Sequence, residues 1–117
     1  MKKVVKFGGS SLASAEQFKK VGDIIRADKS RRYVVPSAPG KRSSSDTKVT
    51  DMLYSCYNLA IRRKEFTSLL DEIHARYNEI IDGLNLELSL DHEFDMIREN
   101  FGKKIRKRVM LHPGENI

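Results

Sequence analysis

The sequence has few of the residues that support disulfides, thiolate metal sites or membrane insertion. Its 117 residues include one cysteine, three histidines and no tryptophan. The single cysteine, Cys56, excludes an intramolecular disulfide and a metal site with several thiolates. No apolar run approaches the roughly 18–20 residues that a membrane-spanning helix needs, and the short run near the start is interrupted by Lys6. We therefore expect a cytoplasmic chain with no membrane partner and no metal held by protein ligands.

Charge is unevenly distributed along the chain. The net charge is +6, but the residues outside 102–117 carry a net charge of only +2. Five basic side chains lie within residues 103–108, without aromatic neighbours and outside any nucleic-acid-binding motif. We interpret this cluster as the solvated end of a helix. Nucleic-acid binding through 103–108 is the competing hypothesis, and strong salt dependence would identify it.

The first 36 residues show the pattern of a βαβ unit. A β-branched and aromatic run at 3–7 stops at a Gly-Gly pair. A capping box of Ser14 and Gln17 then opens an amphipathic helix, and a second apolar run at 33–35 leads into Pro36, which marks a strand end or edge. Both strands are short and apolar, which is typical of a parallel sheet covered on both faces. The expected apolar face of the helix consists of Phe18, Val21, Ile24 and Ile25.

A polar loop at 37–46, which we expect to be flexible, precedes three predicted helices. Apolar spacings of three and four residues place these helices at about 47–64, at about 66–82 with Gly83 as the stop, and from about residue 91 onward. The sequence leaves the end of the third helix open. The core residues expected from the three stripes are Val49, Met52, Leu53, Cys56, Leu59 and Ala60; Phe66, Leu69, Leu70, Ile73, Tyr77, Ile80 and Ile81; and Phe94, Ile97, Phe101 and Ile105.

The strongest local signal is the string KFGGSS at Lys6–Ser11. Glycines at positions 8 and 9 allow a ligand to approach the backbone, and the start of a helix offers N–H groups that suit a phosphate. Lys6 adds a positive charge, so the combination suits phosphoryl transfer. On spacing alone, a tight βα turn beside a surface lysine is an equally good interpretation.

A second group of candidate residues follows the second strand. Ligands gather at the carboxyl ends of parallel strands, so Ser37 and the start of the next helix should lie near the glycine turn. Thr47 and Thr50 belong to that helix start. Taken as an isolated loop, the segment is better explained by turn and capping roles for Asp46, Thr47 or Thr50.

In their order along the chain, these strings resemble the start of the aspartokinase family. The resemblance rests on KFGGSS at 6–11, VV at 34–35, SAPGKR at 37–42 and DTKVTDML at 46–53. It implies an α/β fold, namely a partial three-layer α/β/α amino-acid-kinase (carbamate-kinase-like) fold. In that fold the βαβ unit is followed by a mainly helical segment.

The resemblance also implies an activity and a set of site residues. The activity is phosphorylation of the aspartate side-chain carboxylate by ATP with Mg²⁺, the first step toward lysine, methionine and threonine. Lys6 would be catalytic and would contact the transferring phosphate. The other implied residues are Gly8, Gly9 and Ser10 for the ATP phosphates, and Ser37, Thr50 and, as a weaker candidate, Thr47 for aspartate.

The resemblance ends near Phe101. The Ser-Arg-Gly-Glu string with which the family continues is absent, and its glutamate would take the substrate's amino group. We therefore expect an incomplete N-terminal portion of the kinase domain at 1–101 and a basic, non-family tail at 102–117. Such a chain would have weak or no activity alone, and its open sheet edges predict a homo-oligomer. The alternative is a non-catalytic phosphate-binding or oligomerisation module.

Overall fold

The structure is a computed structural model that describes the backbone of residues 1–111 and the side chains of residues 1–103. The elements along the chain are β1 (Lys3–Phe7), a 3₁₀ turn (Gly9–Leu12), α1 (Ala15–Arg26), β2 (Arg31–Pro36), α2 (Val49–Ile61), α3 (Thr67–Gly83) and α4 (Asp91–Leu111). The predicted α/β class, with a βαβ unit followed by a helical segment, is confirmed.

The chain divides into two compact units. The first contains Met1–Asp51 and Glu79–Glu87, and the second contains Met52–Asn78 and the chain from Leu88 onward. The first unit holds every residue predicted for the site, namely Lys6, Gly8, Gly9, Ser10, Ser37, Thr47 and Thr50.

β1 and β2 form a two-stranded parallel sheet, and α1 connects them. Val5 lies opposite Val34, and the pairing ends at Phe7 and Pro36. Proline has no N–H to donate, but the next residue, Ser37, donates its N–H to the Phe7 carbonyl at 3.0 Å. The prediction that Pro36 marks the end of the second strand is confirmed.

The expectation that the sheet is covered on both faces is wrong for β2. Tyr33, Val34 and Val35 are 53%, 40% and 48% exposed. Because successive strand residues point to opposite faces, this exposure means that the described residues cover neither face of β2. On β1, Val4 is 69% exposed. Among the described residues the sheet consists of β1 and β2 alone, so no further strand shields β2.

The start of α1 agrees with the capping box. The Ser14 hydroxyl oxygen accepts a hydrogen bond from the Gln17 N–H at 3.3 Å. Val21 is buried, but Ile24 is 46% exposed. The apolar stripe of α1 is therefore narrower than predicted.

Asp28 organises the turn between α1 and β2. Its carboxylate lies 2.8 Å from the Lys3 ammonium, and it accepts hydrogen bonds from the N–H and the hydroxyl of Ser30 at 2.9 and 2.6 Å. The bond from Lys3 and the two from Ser30 hold the pKa of the Asp28 carboxyl well below its usual range. The Lys3 N–H also donates to the Ser30 carbonyl at 2.6 Å. These contacts fix the start of β1 beside the start of β2.

The end of α3 approaches the start of α1 closely within the first unit. A methyl group added at Gly83 would lie 2.5 Å from the Cβ of Ala15, which no real pair of side chains tolerates. Glycine at position 83 is therefore a packing requirement. The buried apolar side chains of the first unit are Leu12, Ala13, Val21, Val49, Ile80 and Ile81.

The second unit is built from the apolar stripes of α2, α3 and α4. Phe101 meets Tyr57 and Phe66 edge-on, with ring centroids 5.8 and 5.6 Å apart. Such edge-to-face pairs are the favoured geometry for aromatic rings. The buried apolar residues of this unit, all of them predicted as core, are Cys56, Ala60, Leu70, Ile73 and Phe94.

α3 ends at Gly83, as predicted, but the left-handed residue that follows the helix is not a glycine. Asn85 takes the left-handed conformation, with φ of 53°. The Leu86 N–H donates to the Ile81 carbonyl at 3.1 Å, which is the closing bond of a Schellman motif. α2, which ends at Ile61, is closed in a similar way: Arg63 is left-handed, with φ of 58°, and the Lys64 N–H donates to the Leu59 carbonyl at 2.9 Å.

The end of α4 was left open by the sequence. The helix continues through Gly102 and ends at Leu111, so its backbone includes the basic cluster at 103–108. The side chains of 104–117 lie outside the described residues. The solvated helix end and the basic tail at 102–117 therefore stay predictions.

Two glycines allow the contact between α1 and α3 to be tested with a matched pair of variants. Gly83→Ala should lower the free energy of unfolding by about 1–2 kcal/mol, because the new methyl displaces Ala15. Gly22→Ala should raise it by about 0.5–1 kcal/mol, because its methyl meets only the flexible guanidinium of Arg26. Urea denaturation followed by circular dichroism measures both values. Stabilisation of equal size in both variants would contradict the close contact.

The Asp28 cluster predicts a specific dependence of stability on pH. A carboxyl whose pKa is lowered by folding stabilises the fold above its unfolded pKa, and this contribution is lost as the pH falls toward the lower folded value. Asp28→Asn should therefore be less stable than the wild type at pH 7, and the difference should shrink below about pH 4. Urea denaturation at several pH values tests this. A difference that stays constant from pH 7 to pH 3 would show that the charge of Asp28 is not involved.

Candidate functional site

The turn after β1 presents main-chain donors at the end of the strand. Gly8 is extended, with φ of −75° and ψ of 171°, and it precedes the 3₁₀ turn Gly9–Leu12. None of the described residues accepts a hydrogen bond from the N–H groups of Gly9 or Ser10. α1 begins at Ala15, after its Ser14 cap, so its first turn lies beyond Ser10 and Ser11. The donors at this strand end therefore belong to a short turn and not to the N-terminus of α1.

The main chains of Gly9 and Gly40 are in direct contact. The Gly40 N–H donates to the Gly9 carbonyl at 2.8 Å. A Cβ at Gly40 would lie 2.6 Å from the carbonyl carbon of Gly9 and 2.8 Å from the nitrogen of Ser10. A Cβ at Gly9 would lie 3.1 Å from the carbonyl oxygen of Ala38. Any side chain at position 40 would therefore push the two loops apart.

The loop after β2 is tied down at several points, although the sequence predicts a flexible segment. Its beginning is fixed by the bond from the Ser37 N–H to Phe7, and Pro39 and Gly40 are buried. The Val49 N–H then donates to the Pro39 carbonyl at 3.0 Å. This bond attaches the first turn of α2 to the residue that precedes Gly40, and thereby to the glycine turn.

The predicted ligand-binding hydroxyls are exposed to solvent. Ser10, Ser37, Thr47 and Thr50 all lie at the surface. Ser37 directly follows β2, and Thr50 lies in the first turn of α2. The N–H of Thr47 is held by the Asp46 carboxylate. The structure thus brings the ends of both strands and the start of α2 together, through contacts of the main chain.

Lys6 lies on β1 opposite Val35, two residues before Gly8. Its side chain is exposed, and it forms no ion pair with any described residue. The positive charge and the two free N–H groups therefore lie near the same end of β1 without a neutralising carboxylate. No contact among the described residues joins the Lys6 side chain to Ser37 or Thr50.

Two features of this site were missed by the sequence analysis. The first is the packing of Gly40 against Gly9, for which glycine in both loops was the available signal. The second is an ion pair between Arg42 and Asp46, with nitrogen–oxygen distances of 2.7 and 3.1 Å. The spacing of four residues is one at which charged side chains commonly pair on helices, but here the two residues lie in a loop. The bond from Arg42 is the main cause that holds the pKa of the Asp46 carboxyl well below its usual range.

In the second unit, the side chains of Cys56 and His74 pack against neighbouring residues. The Cys56 thiol is fully buried and donates to the Phe66 carbonyl at 3.6 Å, and burial raises its pKa. The prediction of Cys56 as a core residue is therefore confirmed. The His74 ring stacks on Phe94 at a centroid distance of 4.3 Å, and its Nε2 lies 2.8 Å from an oxygen of Asp91.

Within the described part of the chain, no three histidine, cysteine, aspartate or glutamate side chains converge on a metal position. The helices described there also include none that is long and apolar enough to cross a membrane.

Comparison with known proteins identifies the family. A family model described as the amino acid kinase family matches residues 1–101. The solved structure of aspartate kinase from Clostridium acetobutylicum superposes with a TM-score of 0.82, at 42% sequence identity over 88% of this chain and 24% of that one. The chain belongs to the amino acid kinase family, and the resemblance to aspartokinases found in the sequence is confirmed.

Curated relatives agree with this assignment. Aspartokinase 3 of Bacillus subtilis is 46% identical over 88 residues, which are 75% of this chain and 19% of the relative. The aspartokinase of Chlamydia pneumoniae is 38% identical over 85 residues, or 72% of this chain and 17% of the relative. The chain therefore spans about a fifth of the length of these relatives.

The glycine contact can be tested by comparing two substitutions. Gly40→Ala should lower the free energy of unfolding by about 1–3 kcal/mol, because its methyl collides with main-chain atoms of Gly9 and Ser10. Gly8→Ala should change it by less than about 0.5 kcal/mol, because nothing lies within 4 Å of the new methyl and the extended backbone suits alanine. Chemical denaturation gives both values. Equal effects at the two positions would contradict the close contact between the loops.

Proposed function

We propose that this chain carries the phosphate-binding residues and part of the aspartate-binding residues of an aspartate kinase. The reaction is transfer of the γ-phosphoryl group of ATP to the side-chain carboxylate of aspartate. The observation that carries the proposal is the contact between Gly9 and Gly40, because it joins the glycine turn to the segment with the candidate hydroxyls. The names of the relatives, aspartokinase and aspartate kinase, supply the substrate.

The glycine turn fits a phosphate group. The N–H groups of Gly9 and Ser10 are without acceptors among the described residues, and the space beside Gly8 is open to 4 Å. Backbone N–H groups in such a turn donate to phosphate oxygens, and a nearby lysine offsets negative charge. We assign Gly8, Gly9 and Ser10 to the ATP phosphates and Lys6 to the transferring group. Bound ATP supplies the phosphoryl group, and these residues orient it and stabilise its charge.

The acceptor side of the proposed site consists of hydroxyl groups. Ser37 and Thr50 lie on the segment joined to the turn, and both are exposed and able to donate to a carboxylate. Thr47 is a further candidate from the same segment. Holding the acceptor carboxylate beside the phosphate positions two negatively charged groups for reaction, and the positive charge of Lys6 reduces their repulsion.

In this proposal magnesium binds together with ATP. The described side chains provide no cluster of three acidic or histidine ligands, whereas Mg²⁺ commonly binds through substrate phosphates, waters and one or two carboxylates. We therefore assign Mg²⁺ to the nucleotide phosphates and not to a preformed protein site. We also propose a cytoplasmic location for the chain.

The proposal also covers the organisation of the chain and its assembly. We assign 1–101 to the N-terminal portion of the kinase domain and 102–117 to a basic tail outside it. Homo-oligomerisation is proposed because β2 exposes Tyr33, Val34 and Val35, and exposed apolar strands favour pairing. The same exposure supports the alternative function, a phosphate-binding or oligomerisation module without catalysis.

Lys6→Ala tests the proposed phosphate contact. It should weaken binding of magnesium ATP by the 117-residue chain about tenfold, because one charge-assisted hydrogen bond is worth about 1.5–3 kcal/mol before solvent screening. Isothermal titration calorimetry measures the dissociation constant. The same samples are assayed for aspartate-dependent release of ADP, where we expect little turnover by this chain alone.

Lys2→Ala is the matched control, because it removes the same charge from an exposed position beyond the other end of β1. Its affinity for magnesium ATP should stay within about twofold of wild type. Equal loss in both variants would mean that general charge, and not a site at Lys6, attracts the nucleotide. Binding of magnesium ATP that depends on Lys6 supports the proposed phosphate site, and turnover that Lys6→Ala abolishes would establish a kinase.

A further inference from the structure

The loop between β2 and α2 contains an unusually complete set of contacts around one carboxylate. Asp46 accepts hydrogen bonds from the backbone N–H of Arg42 at 2.9 Å, from its Nε at 2.7 Å and from its Nη2 at 3.1 Å. The N–H of Thr47 also donates to this carboxylate. A single side chain thus binds both the guanidinium and the main chain of its own loop.

The environment distinguishes this pair from an ordinary surface ion pair. The Asp46 side chain is only 16% exposed, whereas the carboxylate of Asp23, which pairs with Arg26 on α1, is 78% exposed. Two-pronged binding of a guanidinium to a carboxylate fixes orientation as well as distance. The Arg42 guanidinium also lies 3.3 Å from Glu79 of α3. The Arg42 side chain, itself 40% exposed, thus faces one carboxylate of its own loop and one of α3.

The pair lies within a closed loop that carries the proposed substrate hydroxyls. The loop is closed by the bond from the Val49 N–H to Pro39 and is narrowed by a bond from the Asp46 N–H to the Ser43 carbonyl at 3.1 Å. Thr47 lies inside the closed loop and Thr50 lies one residue beyond it. The shape of the loop therefore determines where both threonines stand relative to the glycine turn.

We propose that Arg42 and Asp46 are positioning residues, which hold Thr47 and Thr50 in place for the acceptor carboxylate without touching either substrate. The inference rests on the proposed function, since it concerns the aspartate half of the same site. Arg42 could instead be regarded as a phosphate ligand, but three of the five N–H donors of its guanidinium are already bonded to Asp46 and Glu79. The phosphate half of the site, at Lys6–Ser10, does not depend on the pair.

The test uses Asp46→Asn in the 117-residue chain, because this change keeps the shape of the side chain and removes its charge. Amide exchange followed by NMR should be at least tenfold faster at the Val49 and Thr47 N–H groups. The Ser37 N–H, which is bonded to β1, should change less than twofold. The dissociation constant for aspartate, measured by NMR titration in the presence of magnesium tripolyphosphate, should rise about tenfold. That for magnesium tripolyphosphate should change less than twofold.

Two further variants complete the design. Asp23→Asn removes a carboxylate from an exposed pair in the same unit and should change neither affinity nor the exchange at Val49. Arg42→Lys keeps the charge but not the two-pronged geometry, so its aspartate affinity should lie between those of wild type and Asp46→Asn. Unfolding is measured for each variant, to check that the folded state is retained.

The outcomes separate the inference from the proposed function. Unchanged aspartate affinity in Asp46→Asn would overturn the positioning role while leaving the proposed function intact. Equal loss of aspartate and tripolyphosphate affinity would also overturn it, because the pair would then act on the whole site or bind phosphate directly. A wild-type chain that binds tripolyphosphate but no aspartate would overturn the assignment of the acceptor site, and the role of the pair with it.

Discussion

The contact between the main chains of Gly9 and Gly40 is the constraint on which the candidate site depends. Parallel strands bring their following loops to the same edge of a sheet, but the distance between the loops is set by the bond of 2.8 Å between these glycines. It forms because neither residue has a side chain to stand between the two backbones. Since Pro39 next to this contact accepts a hydrogen bond from the Val49 N–H, the first turn of α2 is attached to the contact as well.

The elements of the fold could be predicted because their signals are local. The cap at Ser14, the strand end at Pro36 and the apolar stripes of the helices all occur within a few residues of the structures that they specify. The exposure of β2 could not be predicted in this way. An apolar strand has the same sequence whether another layer covers it or not, so burial depends on how the remaining helices pack. The left-handed conformation of Asn85 could not be predicted either, because glycine, the residue that more often ends a helix in this way, lies nearby at Gly83.

The candidate site also consists of a part that the sequence predicts and a part that only the structure shows. The strings around Lys6, Ser37 and Thr50 identify the segments, because residue type and order carry that information. The roles of Gly40 and of the Arg42–Asp46 pair required the structure. Arg42 reaches both Asp46 and Glu79, and the second of these is 37 positions away in the sequence. A contact between a loop and a distant helix leaves no periodic trace that a single sequence can reveal.

The position of Glu79 also shows that the βαβ unit does not form the site by itself. The last turns of α3 belong to the first unit, although α2 and the first part of α3 lie between them and β2 in the sequence. They bring Glu79 to Arg42 and Gly83 to Ala15, so they support the loop after β2 and the start of α1 together. A two-stranded parallel sheet is too small to be stable alone. The loop after β2 and the start of α1 are therefore held partly by residues that lie far from them in the sequence.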